Sequence, residues 1–159
     1  MKKILFAIII AVVGGLSVMC TSAQEKEIAI VAHRGFWNCD AAGSAKNSIA
    51  ALAQAQELGV WGSEFDVNLS EDGVLLVFHD GSVDGKRIEK NPASAFADHR
   101  LKNGERIPVI DEYLEQAKKH PETMLVYELK KHSCDSVETK AVDASIAKLK
   151  EYGLFDPQH

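Results

Sequence analysis

The chain has 159 residues, 46% hydrophobic and 26% charged, with 18 lysines and arginines against 23 acids and a net charge of −5. That balance belongs to a globular protein and excludes the disordered and collagen-like classes. An acidic chain with no basic stripe lacks the electrostatic footprint of a nucleic-acid binder, and three cysteines are too few for a disulfide scaffold.

Residues 1–23 read as an export segment and are set aside from the fold. Lys2 and Lys3 precede Ile4–Met19, an uncharged run shorter than the ~20 apolar residues of a membrane span. Cys20, Thr21, Ser22 and Ala23 are the small residues that precede a cleavage site, with the cut expected before Gln24. Leu16–Cys20 also resembles a bacterial lipobox, with Met19 where that signal prefers a smaller residue. This leaves a lipid anchor at Cys20 as the alternative. The mature domain, residues 24–159, is therefore expected to be exported, either periplasmic or secreted or held as an outer-membrane lipoprotein, with no transmembrane span. A Cys39–Cys134 disulfide and two free thiols are both compatible with an oxidising compartment.

Ile28–Ala32 is a continuous apolar run and reads as a strand buried on both faces, stopping at His33-Arg34-Gly35. Asn47 or Ser48 caps a helix that runs to Leu58, with Ile49, Leu52, Ala53 and Gln56 at helical spacing and Gly59 closing it. Residues 63–69 alternate with period two, placing Phe65, Val67 and Leu69 on one face and Glu64, Asp66 and Asn68 on the other. Glu71-Asp72-Gly73 turns the chain into a second apolar strand, 74–78, which ends at His79-Asp80; the pair reads as a hairpin.

Residues 81–106 are polar, contain glycine and are weakly periodic, and they read as a surface excursion with room for one short helix. Asp111 is the expected N-cap of a helix over 112–119. Met124–Tyr127 reads as a third buried strand, ending in Glu128-Leu129-Lys130, and residues 136–152 as an amphipathic helix before Gly153. Strands alternating with helices predict an α/β fold of βαβ units around a parallel sheet.

Polar residues gather where the strands end: His33 and Arg34, Glu64 and Asp66, His79 and Asp80, Glu128 and Lys130. Ligands of α/β sheets and barrels bind beyond the carboxyl ends of parallel strands, so these groups converge on one expected site. Residues i and i+2 on a strand point the same way, which sets the Glu64 and Asp66 carboxylates side by side; such a pair resists double ionisation unless a cation sits between them. Oxygen donors suit Ca²⁺ or Mg²⁺ better than zinc, and Glu128 is the expected third ligand.

His33 and His79 are the natural proton-transfer pair, because imidazole titrates near neutrality. Arg34 and Lys130 supply positive charge for an anionic substrate such as a phosphate ester. Asp80 is read as orienting an imidazole, and Asn47 as capping its helix and bonding to the loop at His33. His99, His120 and His132 are read as surface residues.

AHRG at 32–35, Asn47-Ser48, EFDVNLSEDGVLLVFHD at 64–80, IPVIDEYL at 107–114 and YELK at 127–130 resemble, in order and spacing, the glycerophosphodiester phosphodiesterases. The resemblance implies a (β/α)₈ TIM barrel, of which about the first three β/α units are present. It further implies catalytic histidines at His33 and His79, a divalent metal, Ca²⁺ or Mg²⁺, at Glu64, Asp66 and Glu128, and phosphate-binding positions at Arg34 and Lys130. Lys46 stands where that family carries an acidic residue. A complete barrel takes about 250 residues, so the chain is expected to be the N-terminal portion of a longer enzyme.

The activity expected from the resemblance is metal-dependent hydrolysis of glycerophosphodiesters to glycerol 3-phosphate and an alcohol, with the histidines as acid and base. The alternatives are a phospholipase D of the sphingomyelinase type, which resembles this family in fold and site layout, and a non-catalytic phosphate-binding module.

Overall fold

The structure, a computed structural model, describes residues 28–155; the expected export segment and Cys20 lie outside them. In chain order the elements are β1 (Val31–Ala32), α1 (Ile49–Leu58), β2 (Gly62–Leu69), β3 (Leu75–Val77), β4 (Ser82–Val83), β5 (Lys86–Arg87), α2 (Ile110–Ala117), β6 (Met124–Leu129) and α3 (Asp135–Glu151). Two short 3₁₀ turns, Ile88–Lys90 and Ala93–Phe96, follow β5. The alternating α/β order read from the sequence is present.

β2 is the spine of the sheet. β1 runs parallel to it, pairing Ala32 with Ser63, and β6 runs parallel on its other side, from Gly62↔Met124 to Val67↔Leu129. Past the end of β1, β3 returns antiparallel, pairing Val67 with Val77 and Leu69 with Leu75, as the Glu71-Asp72-Gly73 turn predicts. Flanked along both edges and covered by helices, β2 is buried at every position.

Its two faces do different work. Phe65, Val67 and Leu69 pack with Leu52 of α1 and Ile110, Tyr113 and Leu114 of α2 in the main core. The Phe65 and Tyr113 rings stack 4.5 Å apart. Glu64, Asp66 and Asn68 occupy the opposite face, the separation that period two demands.

α1 starts at Ile49 because Ser48, in extended conformation, accepts the Ala51 amide on its hydroxyl. The Glu105 carboxylate takes the next two free amides, of Ile49 and Ala50, adding negative charge where the helix dipole favours it. Gly59 ends the helix at φ 70°, a conformation open to glycine at low cost. α1 and α2 are joined by an amide exchange: Gln56 donates to the Gln116 and Ala117 carbonyls, and Gln116 donates back to Gln56.

Several expectations are corrected. β1 is two residues long, and Ile28 and Ile30 are 85% and 62% exposed, because β1 pairs with β2 alone and forms one edge of the sheet. β6 is likewise only half buried, as the other edge. The 81–106 excursion is not a bare surface loop, since its Val83, Ile88 and Phe96 bury with Leu76 and Ile107 in a second core.

α2 is capped by Val109 rather than by Asp111, because the extended Pro108-Val109 segment brings the Val109 carbonyl into the first helical turn. Asp111 instead joins α2 to α3, accepting from Lys148 Nζ at 2.6 Å and Tyr152 Oη at 3.1 Å. His132 is buried, not exposed. β2 extends past the end of β6, and the Leu69 amide left there donates to His132 Nε2 at 3.0 Å. The Glu138 carboxylate holds the backbone amide of His132. Cys39 and Cys134 are both free thiols.

Burial alone would raise the Asp111 pKa, but the hydrogen bonds from Lys148 and Tyr152 outweigh it and hold it below the ordinary value. Such a depressed carboxyl adds stability above its unfolded pKa and loses it as pH falls through the folded one. Asp111→Asn is therefore expected to cost about 0.5–1 kcal/mol at pH 7, the screened value of a half-exposed pair. The difference from the parent should shrink in denaturant titrations as pH falls below about 4, the ordinary pKa of an unfolded aspartate, and vanish only once the folded Asp111 carboxyl is itself protonated.

Candidate active site

The register of the sheet builds the site. Asp66 and Glu128 are direct partners across β2 and β6, on the face that Glu64 shares two residues earlier. Like charges placed opposite one another repel, and the chain relieves this with a cation: Lys130 Nζ lies 2.6 Å from Glu128 Oε1 and 3.1 Å from Asp66 Oδ1. One carboxylate oxygen from each of Glu64, Asp66 and Glu128 falls within 4.8 Å of the others.

Asp66 is fully buried and is the hub of the cluster. Asn47 grips it at both ends of one amide, donating Nδ2 to Oδ2 at 2.8 Å and accepting the Asp66 amide on Oδ1 at 3.2 Å. Arg34 Nε lies 3.4 Å from Oδ2. Burial on its own would push the Asp66 pKa up; the Asn47 and Lys130 hydrogen bonds prevail and hold it low. The Asn47 amide thus serves the acid, and the helix cap falls to Ser48 alone. The expected bond to the loop at His33 is also made, since the Asn47 backbone N–H donates to the Arg34 carbonyl at 3.1 Å.

Glu64 is the complement. Its Oε2 accepts the Arg34 amide at 2.7 Å, while its Oε1 is buried without a partner. Burial, the largest influence, raises its pKa, and the nearby Asp66 adds to the rise against the Arg34 amide. A buried carboxylate oxygen with no donor is expensive. A small divalent cation among three carboxylates would satisfy it, and an all-oxygen donor set is the one that Ca²⁺ and Mg²⁺ take. The residues present fit such an ion.

The two expected imidazoles lie at the rim. His33 Nε2 is 3.8 Å from Glu64 Oε2, with 69% of its side chain open to solvent. His79 follows β3, and because β3 runs antiparallel, the strand brings His79 back toward the level of Asp66 instead of away from it. Its Nδ1 contacts Asp80 Oδ1 at 2.6 Å. A carboxylate only accepts, so Nδ1 donates this bond, and in the neutral ring the lone pair falls to Nε2. The sequence reading missed one member. Asn68, next on the acidic face of β2, donates to the Phe78 carbonyl at 2.7 Å and to the Asp80 carbonyl at 3.3 Å, so it positions the histidine segment. Period two carried that signal.

The loop after β1 depends on Gly35. It adopts φ 76°, and an added Cβ would fall 2.7 Å from the Ala51 backbone; its amide points to the Ala32 and Glu64 carbonyls. A left-handed alanine costs about 1–2 kcal/mol and overpacking about 1–3 kcal/mol more. Gly35→Ala is expected to destabilise the chain by about 2–5 kcal/mol, read as a lower denaturation midpoint at unchanged m-value.

Residues 33–154 match the model of the glycerophosphoryl diester phosphodiesterase family. A glycerophosphodiester phosphodiesterase of Caldanaerobacter subterraneus subsp. tengcongensis is 36% identical over 98 residues, which cover 54% of this chain and 39% of that protein. Glycerophosphodiester phosphodiesterase 1 of Homo sapiens is 30% identical over 128 residues, covering 70% of this chain and 36% of its own length.

Among solved structures, a glycerophosphodiester phosphodiesterase from Parabacteroides distasonis superposes with a TM-score of 0.75 at 41% identity, covering 78% of this chain and 51% of that one. A phosphodiesterase from Oleispira antarctica, solved in complex with the product sn-glycerol-3-phosphate, gives a TM-score of 0.64 at 28% identity, covering 79% of this chain and 53% of that one. The chain thus spans about half the length of the matched structures, and its α/β arrangement is that of part of their (β/α)₈ barrel. On sequence and on structure together, the chain belongs to the glycerophosphoryl diester phosphodiesterase family.

Proposed function

We propose that the chain carries the metal and proton-transfer half of a hydrolase that cleaves glycerophosphodiesters to sn-glycerol 3-phosphate and an alcohol. The observation that carries this reading is the gathering of Glu64, Asp66 and Glu128 within 4.8 Å, with two imidazoles and two cations around them. The sn-glycerol-3-phosphate bound to the Oleispira antarctica relative supports the product.

Glu64, Asp66 and Glu128 would hold Ca²⁺ or Mg²⁺, which as a Lewis acid polarises phosphoryl oxygens. Arg34 and Lys130 bind and orient the phosphate, Arg34 through a planar fork and Lys130 as a point charge. Burial opposes the Lys130 charge, but the hydrogen bonds to Glu128 and Asp66 raise its pKa and keep it an ammonium. Asn47 keeps Asp66 ionised and aimed.

His79, held by Asp80 through Nδ1, suits the task of taking the proton from the attacking water. His33, exposed beside Glu64, then supplies a proton to the leaving alcohol. The Lys2-Lys3 and Ile4–Met19 pattern supports action outside the cytoplasm, either free or anchored at Cys20. Among the described residues no helix is long and apolar enough to cross a membrane.

The test is incubation of the full chain with glycerophosphocholine and Ca²⁺ or Mg²⁺. The expected products are sn-glycerol 3-phosphate and choline, and a chelator should stop their release. A cyclic phosphate product favours the phospholipase D reading. Metal binding without turnover makes the chain a phosphate-binding module.

A further inference from the structure

A cavity of about 240 Å³ lies between residues 44–46 and the segment that contains Phe78 and residues 99–102. Both walls continue into the site. Lys46 precedes Asn47, which holds Asp66, and Phe78 precedes His79, with its carbonyl held by Asn68. The walls are also braced against one another. Gly43 approaches Asn103 so closely that an added Cβ would lie 2.7 Å from the Asn103 side chain. Asn103 in turn donates to Glu105, the carboxylate at the start of α1.

Charge sets this cavity apart. In a chain of net charge −5 it is lined by Lys46, His99, Arg100 and Lys102, and by no carboxylate. Among the described residues His99 has an acid partner, Asp84 at 3.0 Å, whereas Lys46, Arg100 and Lys102 have none within 4.0 Å. Arg100 is fixed in place through Nη1, which donates to the Ala97 and His99 carbonyls. A concave wall lined by three cations without an acid partner favours an anion. The same lining repels a cationic group, and the Lys46 ammonium, 4.5 Å from the Trp37 ring centroid, already covers one aromatic face on which a quaternary ammonium could stack.

We propose that this cleft is a second anion site, and that it holds a carboxylate or phosphate carried on the alcohol side of the diester. The substrate half of the proposal rests on the hydrolytic reading above; the anion site does not.

The experiment has two arms on the full chain. In the first, kcat/KM is compared for glycerophosphocholine, glycerophosphoserine and a glycerophosphodiester whose alcohol bears a second phosphate. A preference of about tenfold or more over choline, the size of one charged hydrogen bond, is expected for at least one anionic alcohol, and which one identifies the group held. The Lys46→Ser/Lys102→Ser double variant should erase that ratio through KM. No preference, or one that survives in the double variant, overturns the substrate assignment.

In the second arm, inorganic phosphate is titrated in without metal while the amide NMR signals of residues 44–46 and 99–102 are followed. Saturating shifts are expected in the parent and not in the double variant. Shifts that are absent, or equal in both, overturn the anion site. Saturating shifts with no diester cleaved would retain the anion site and sink the hydrolytic reading. Choline-diester cleavage with unmoved signals would do the reverse.

Discussion

Asp66→Asn is expected to lower divalent-metal affinity by more than about 100-fold, since the loss of outer-shell partners alone costs roughly 10–100-fold, and to remove diester hydrolysis with it. The substitution keeps the shape of a fully buried side chain and deletes only its charge. The amide that replaces one carboxylate oxygen then turns an N–H group toward either Asn47 or Lys130, both of them donors to Asp66, so one contact becomes a clash of donors. That mismatch should cost a further ~1–3 kcal/mol of stability, visible in denaturant unfolding without metal. Glu64→Gln separates the two effects. Glu64 Oε1 has no donor to lose, so this variant should lose metal affinity while its metal-free stability stays level or rises.

The second large effect concerns the imidazoles. His33→Ala and His79→Ala are each expected to lower kcat by about 10²–10⁴-fold, the usual yield of a positioned acid or base. KM for the diester should change little, because the proposed function gives phosphate binding to Arg34 and Lys130. His33 is 69% exposed at its side chain and His79 38%, so truncation leaves the thermal midpoint in place and a loss of rate cannot be ascribed to unfolding. Asp80→Asn should act through His79 alone. It frees the Nδ1 proton and allows the other tautomer, lowering kcat by less than His79→Ala does. If His33→Ala retained near-parental kcat, His33 would lose its role as proton donor.

Much of the site was legible because it lies on a strand. Period two put Glu64 and Asp66 on one face and the apolar residues on the other, and Glu128 on β6 and Lys130 just past its end repeat the same spacing. Asn47 was harder to read, because Asn and Ser are equally good helix caps; only the fold reveals that Ser48 takes the cap and frees Asn47 for Asp66. His132 gave no local sign, since its partner, the Leu69 amide, is 63 residues away. The buried residues of the 81–106 excursion sit on two-residue strands and 3₁₀ turns, too short to display either period. Apolar composition suggested buried strands for β1 and β6, but composition cannot say which strand lies at an edge.

The proposed hydrolysis depends on a divalent ion held among Glu64, Asp66 and Glu128, and calorimetric titration of the full chain with Ca²⁺ and with Mg²⁺ measures this directly. One saturable site per chain is predicted for at least one of the two ions in the parent, and no measurable site in Asp66→Asn. A parent that binds neither ion, or an Asp66→Asn variant that binds as tightly as the parent, contradicts it.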